Sequence, residues 1–220
     1  MPPIPPSATV TLARASVALL TGSLLVSAYM TVALRSSVDP VANVVSDYVF
    51  YRPGGSLFVL AVLLLVLSGA ALLAGMTGLG IPRPRSVLAF FGLWQAGLLL
   101  CAVFPTNRTA GSSTLPGEIH RLAGATFLTS LPIAGWKLAT ALRSDPHWGV
   151  VAGRIRRYAG LGMLTAAVFG VCQLRLIAPG LPGTSLLPNS AIQGLLERFA
   201  LGAEVALLLA LAVSVARAAR

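Results

Sequence analysis

The chain has 220 residues, of which 56% are hydrophobic and only 10% are charged. Soluble domains carry about 25% charged residues, so this composition excludes an ordinary water-soluble protein and predicts an integral membrane protein. The net charge of +10 does not indicate nucleic-acid binding, because the arginines are spread between apolar segments and form no single basic face.

Six apolar stretches follow a short N-terminal segment. Residues 1–14 are rich in proline and end at Arg14, which predicts a cytoplasmic tail without a fold. Crossing a hydrocarbon core about 30 Å thick takes roughly 20 helical residues. The predicted spans are residues 15–34, 56–75, 86–104, 122–142, 158–177 and 191–215. They predict an all-α fold in which residues 15–220 form one transmembrane domain of six helices. The first span also has features of a secretory signal peptide, so the sequence leaves open whether it is retained or cleaved.

The charges between the spans predict how the chain is oriented. Short cytoplasmic loops carry the excess of Lys and Arg. Six spans place both termini, the second loop and the fourth loop on the same side, and all of these regions are basic. Their arginines are Arg14, Arg83, Arg85, Arg143, Arg154, Arg156, Arg157, Arg217 and Arg220. We therefore predict a multi-pass protein of the cell membrane with both termini in the cytoplasm.

The three loops predicted to face outward hold most of the acidic residues, namely Asp39, Asp47, Glu118 and Glu197. In the first of these loops, four valines and Tyr48 recur at helical spacing between Val41 and Val49, with Asn43, Ser46 and Asp47 on the other side. This pattern predicts a short amphipathic helix that lies on the outer surface or caps the bundle.

Each outward loop ends in an arginine where the next helix begins: Arg52, Arg121 and Arg198. A helix N-terminus offers free N–H groups and partial positive charge, and the guanidinium fork suits phosphate or carboxylate. We therefore predict a mouth that binds an anionic lipid or small anionic ligand, with Ser46 and Glu197 beside the arginines. Alternatively, the arginines only contact lipid phosphates or pair with neighbouring acids.

A second hypothesis is an intramembrane enzyme acting on a lipid head group. His120, together with Glu118 or Asp47, could supply the acid and the base. No recognised metal-ligand spacing is present, so the sequence predicts neither a metal nor a cofactor. Whether the protein is an enzyme is left open.

Glu204 lies about halfway through the sixth span. An ionised carboxylate at the bilayer centre costs roughly 2.5–3.5 kcal/mol, so this side chain should face the other helices and be protonated or paired. Gln95 and Gln173 are the candidate partners, and Arg175 lies nearer the outer surface. A proton-coupled transporter would use such a group, whereas a packing role needs only a hydrogen bond between helices. A structural subunit of an unidentified membrane assembly is the remaining interpretation.

Three motifs resemble those of a known family. They are Pro40 with Val45-Ser46-Asp47-Tyr48, Phe104-Pro105-Thr106 with Glu118-Ile119-His120-Arg121-Leu122-Ala123-Gly124, and Gly194-Leu195-Leu196-Glu197-Arg198. Their order, over about Val32 to Arg220, resembles the domain-of-unknown-function 998 family of prokaryotic membrane proteins. The resemblance implies a six-helix architecture and no established activity. It draws attention to Ser46, Asp47, Pro105, His120 and Arg198.

Overall fold

The computed structural model describes residues 5–108, 113–177 and 190–219. Within these residues the fold is helical throughout. The long helices are α1 (Pro6–Ala33), α2 (Gly54–Gly78), α3 (Arg85–Val103), α4 (Leu115–Leu142), α5 (Gly149–Ile177) and α6 (Gln193–Ala218). Two short 3₁₀ helices, Val45–Phe50 and Ser190–Ile192, precede α2 and α6.

Each predicted span overlaps one long helix, but several helices begin earlier than the hydropathy pattern predicts. Helix α1 begins at Pro6, because proline is tolerated in the first helical turn. Most of the predicted unfolded tail is therefore helical. Helix α4 begins at Leu115, where the Thr114 hydroxyl accepts a hydrogen bond from Gly117 N (3.2 Å). Hydropathy marks the part of a helix suited to lipid, whereas the helix itself continues into polar sequence.

Four of the helices in the described part of the chain, α1, α2, α3 and α6, are long and apolar enough to cross a membrane. The sequences of α4 and α5 are less apolar, since glycines interrupt both, as do Lys137 in α4 and Gln173 in α5. The four apolar helices indicate a multi-pass membrane protein.

Consecutive helices pack antiparallel. The hydroxyls of Ser16 and Ser68 are hydrogen-bonded across α1 and α2 (2.9 Å), and further along Ser23 donates to the Ala61 carbonyl (2.9 Å). Helix α6 contacts α1, α2, α4 and α5, so it lies at the centre of the packing. The alternation brings the first 3₁₀ helix and the starts of α4 and α6 to one end, here called the His120 end. The start of α1 and the end of α6 lie at the opposite end, here called the termini end.

The interior between the helices is apolar. Leu72, Leu131 and Leu207 are fully buried and belong to one continuous hydrophobic cluster. The buried polar side chains in the described residues include two titratable groups, Glu204 and His120. Glu204 and His120 are therefore two interior positions where a side chain could carry or exchange a proton.

Candidate functional site

The segment between α1 and α2 folds over the start of α6 at the His120 end. We call residues 39–50 the 39–50 loop. Leu195 N donates to the Val41 carbonyl (3.0 Å), and Val45 N donates to the Glu197 carboxylate (2.5 Å). No side chain caps the first turn of α6, so the backbone of the loop takes one of its free N–H groups.

The guanidinium of Arg198 links the same loop to α6 through hydrogen bonds. Its Nη1 donates to the carbonyl oxygens of Asn43 (2.7 Å) and Gly194 (2.9 Å). Its Nη2 donates to the Tyr48 hydroxyl (3.2 Å), which donates in turn to Thr31 on α1 (3.3 Å). Much of the anion-binding capacity predicted for this arginine is therefore used by carbonyl oxygens of the chain itself, which leaves its Nε–H and one Nη2–H.

Asx residues spaced four apart shape the 39–50 loop. Asn43 N donates to the Asp39 carbonyl (2.7 Å), and Asp39 N donates to the Asn43 side chain (2.9 Å). The Asn43 amide then donates to the Asp47 carboxylate (3.3 Å). Asp and Asn favour such local turns, because their short side chains bond to nearby backbone.

The predicted amphipathic helix in this loop is a 3₁₀ helix, Val45–Phe50. Tyr48 of the predicted apolar face is buried, and Val45 and Val49 pack against the core, but Ser46 is also buried and Val41 is exposed. The bonds of the Tyr48 hydroxyl to Arg198 and Thr31 hold this side chain inward.

The ring of His120 is held in one orientation at the start of α4. Its Nδ1 lies 2.7 Å from the Phe104 carbonyl oxygen. A carbonyl can only accept, so Nδ1 carries the proton and Nε2 is the nitrogen available to a ligand or a second proton. The Cys101 thiol donates to the His120 carbonyl (3.6 Å), which joins α3 to the same turn.

Four titratable side chains meet beneath the 39–50 loop, and we call them the polar cluster: Asp47, His120, Glu197 and Arg198. The charge of Asp47 interacts with both His120 and Arg198, and the charge of Glu197 with both Arg198 and Asp47. The loop, α4 and α6 each contribute to this cluster. A half-buried acid close to a fixed imidazole is an arrangement that can exchange a proton with a bound molecule.

Burial raises the pKa of the Asp47 carboxyl above its ordinary value. The hydrogen bond from Asn43 and the charges of Arg198 and His120 act in the opposite direction but do not outweigh the loss of solvent. The polar cluster can therefore take up a proton at Asp47 more readily than an exposed aspartate could.

The raised pKa of Asp47 predicts a pH dependence of stability. The folded state binds this proton more tightly than the unfolded state, so stability falls as pH rises from about 3.9, the ordinary aspartate pKa, to the raised value. At pH 7 we expect Asp47→Asn to unfold at a temperature equal to or above that of the wild type, and this advantage should vanish at low pH. Thermal unfolding at both pH values tests it, with Asp39→Asn, at an exposed position, as control. If the unfolding temperature of Asp47→Asn relative to the wild type is lower at pH 7 than at low pH, the pKa of Asp47 is not raised in the folded protein.

Three of the charged residues predicted at the outward mouth lie outside the polar cluster. Glu118 and Arg121 form an ion pair at 3.1 Å with both side chains 41% exposed. Arg52 is exposed at the start of α2. Successive helical residues point about 100° apart, so the inward direction of His120 turns Arg121 to the surface.

Glu204 lies in the interior, 4% exposed, as predicted for an acid in the middle of a span. Its Oε2 accepts from the indole N–H of Trp94 (3.2 Å), whereas its Oε1 has no hydrogen-bond partner in the described residues. The expected partner Gln95 instead donates to the Val66 carbonyl (3.0 Å). The Arg175 side chain lies outside the described residues.

Sequence reasoning did not single out Trp94, and it named Tyr48 and Asn43 only on the faces of the amphipathic helix, although each bonds directly to a predicted site residue. The sequence of an apolar span does not show where the indole N–H of a tryptophan points, so Trp94 could not be identified as a donor. The Asp39–Asn43–Asp47 spacing was visible, but only the fold shows that it closes over α6.

No group of three or more His, Cys, Asp or Glu side chains is placed to hold a metal ion in the parts of the chain that the structure describes. The cysteines Cys101 and Cys172 are free and buried.

Four apolar helices and a helical fold define the class, a multi-pass integral membrane protein. Residues 17–214 match the family described as "Protein of unknown function (DUF998)", and the chain belongs to this family. No curated protein and no solved structure matches the chain. The family membership confirms the resemblance seen in the sequence and assigns no activity.

Proposed function

We propose that the chain is a six-span protein of the cell membrane with both termini in the cytoplasm. Its proposed function is to bind the anionic head group of a lipid, or a small anionic ligand, in the polar cluster at its extracytoplasmic end. The observation that carries the proposal is the fixed ring of His120, whose Nδ1 donates to the Phe104 carbonyl and whose Nε2 is left to accept a hydrogen bond from a hydroxyl or protonated phosphate oxygen of a ligand.

The six-span topology is supported by the antiparallel packing and by the distribution of charge. Helices α4 and α5 are long enough to cross and pack against each other and against α6. Lys137 of α4 lies 5.7 Å from the centre of the Phe90 ring, where its stem is covered and its charge can reach the interface. The basic loops lie at the termini end, which is the cytoplasmic end by the excess of arginine.

Protonation of Asp47 would leave the polar cluster without net negative charge. Glu197 is already engaged by Val45 N, and its charge is offset by that of Arg198. The raised pKa of Asp47 lowers the cost of removing its negative charge. An arriving anion would then meet the remaining N–H groups of Arg198, and Nε2 of the neutral His120 ring would accept a hydrogen bond from a hydroxyl or protonated phosphate oxygen of the ligand. The exposed Arg52 and Arg121 at the same end would attract the anion from solution.

The variant His120→Asn tests this function. The asparagine amide can keep the hydrogen bond to the Phe104 carbonyl while Nε2 is lost, so the fold should be retained. We expect lipid or ligand that co-purifies with the wild type, measured by native mass spectrometry, to fall by about tenfold, which corresponds to about 1.4 kcal/mol.

The matched control is His147→Asn, at an exposed position beyond the end of α4. It should retain the wild-type occupancy. The double variant Arg52→Gln with Arg121→Gln should lose less than His120→Asn, because exposed charges contribute little. Equal occupancy in His120→Asn and His147→Asn would contradict the proposal.

The coupling of Asp47 to His120 favours a second candidate, an acid–base enzyme acting on a lipid head group. His120 Nε2 would take a proton from the attacking water, and protonated Asp47 would give one to the leaving oxygen of the lipid. Glu118 has no part in it, since it pairs with Arg121 at the surface. Release of a water-soluble head group from phospholipid by the wild type, and not by His120→Asn, would support this candidate. No release by the wild type would contradict it.

A further inference from the structure

A groove of about 470 Å³ separates α1 from α6 at the termini end. Its lining consists of Arg14, Val17, Ala18, Val213, Ala216 and Arg217. On each helix the second and third of these residues lie three and four positions after the first, so they share one face. Because α1 and α6 run antiparallel, the two arginines stand at the rim and the apolar residues lie deeper in the membrane.

The two arginines at the rim are exposed and have no partner in the described residues. The lining of the groove includes no acidic side chain. Asp145 lies at the same end, but its carboxylate accepts from the backbone N–H groups of His147 and Trp148. Within the described part of the chain, the groove therefore joins two arginines that have no ion-pair partner to an apolar wall.

We propose that this groove binds an anionic phospholipid of the leaflet at the termini end, which is the cytoplasmic leaflet in the proposed topology. The phosphate lies between Arg14 and Arg217, since two guanidinium forks match its oxygens. One acyl chain follows Val17, Ala18 and Val213 towards the bilayer centre. Basic pockets between spans on the cytoplasmic side bind anionic head groups in this way.

Other occupants fit the groove less well. Inorganic phosphate would satisfy the arginines and leave the apolar wall uncovered. A second copy of the chain would bring the same two arginines against each other. A phospholipid satisfies both parts of the groove, and its binding here does not depend on the polar cluster at the other end.

The test compares binding of phosphatidylglycerol and phosphatidylcholine to the purified full-length chain by native mass spectrometry. The wild type should prefer phosphatidylglycerol, and Arg14→Gln with Arg217→Gln should reduce that preference by at least about fivefold. The control Arg154→Gln with Arg157→Gln removes the same charge from exposed positions on α5 and should keep the preference. An equal loss in both double variants would overturn the proposal.

A second variant separates the shape of the groove from its charge. Ala18 is exposed, so Ala18→Phe should fold while it narrows the groove and leaves both arginines in place. It should also lose the preference for phosphatidylglycerol, and inorganic phosphate should not displace the lipid from the wild type. Unchanged lipid binding in Ala18→Phe, or displacement by inorganic phosphate, would overturn the proposal. In a His120→Asn background, Arg14→Gln with Arg217→Gln should still reduce the preference, so failure here is distinguishable from failure at the polar cluster.

Discussion

Replacement of Arg198 by methionine is expected to lower the free energy of unfolding by about 3 kcal/mol. The guanidinium holds two backbone carbonyls, those of Asn43 and Gly194, and the hydroxyl of Tyr48. Methionine fills similar space but donates nothing, so the Asn43 carbonyl loses its donor beneath the 39–50 loop. The Gly194 carbonyl and the Tyr48 hydroxyl each lose one hydrogen bond. Thermal unfolding of the purified protein measures the effect.

Arg121→Met is the matched control for Arg198→Met. Arg121 also lies near the start of a helix, but its ion pair with Glu118 is 41% exposed on both sides. Exposed pairs contribute about 0–1 kcal/mol, so this variant should unfold close to the wild-type temperature. Equal shifts in the two variants would show that Arg198 does not hold the loop.

Gly194→Ala is expected to destabilise the protein by about 1–3 kcal/mol and to loosen the 39–50 loop. A Cβ at Gly194 would overlap the carbonyl group of Asn43, which is backbone and can yield only if the loop moves. The hydrogen bond from Arg198 to the same carbonyl would be lost with that movement. Thermal unfolding and hydrogen exchange of the loop amides measure the two consequences.

Gly202→Ala on the same helix separates this contact from the general effect of adding a methyl group. No atom lies within 4 Å of a Cβ built at Gly202. Alanine is favoured over glycine inside a helix by about 0.5–1 kcal/mol, so Gly202→Ala should be neutral or stabilising. Loss of stability at position 202 equal to that at position 194 would contradict the close approach of loop and helix.

The positions of the helices were largely predictable from sequence, whereas their lengths were not. Apolar runs of sufficient length and the prolines after them marked where a helix could lie in lipid. Helix α5 nevertheless begins at Gly149 and not near Tyr158, because a helix can continue through polar residues beyond the bilayer. Arg156 in this extension stacks on the Trp136 ring at 4.1 Å, a contact between helices that hydropathy does not encode.

The charged residues of the outward loops were predicted to share one end of the protein. The structure brings four of them together as the polar cluster. Topology alone placed Asp47, His120 and Arg198 on the same side. It could not tell which arginine turns inward, since that depends on the rotation of each helix about its axis. The inward direction of Arg198 is set by its bonds to the 39–50 loop, which are contacts between residues about 150 positions apart.

The partner of Glu204 shows the same limit. A buried carboxylate predicts a donor, and side-chain amides were the natural candidates. The donor is the indole of Trp94, one position before Gln95 and therefore on a different face of α3. Only the packing of α3 against α6 decides between the two.

Nuclear magnetic resonance of the protein labelled with ¹⁵N-histidine tests the central claim most directly, because the chain contains only two histidines, His120 and His147. The hydrogen bond to Phe104 predicts that neutral His120 carries its proton on Nδ1. When phosphatidylglycerol is added, the Nε2 resonance of His120 should shift while that of His147 stays in place. A His120 Nε2 resonance that does not move at saturating lipid would contradict ligand binding in the polar cluster.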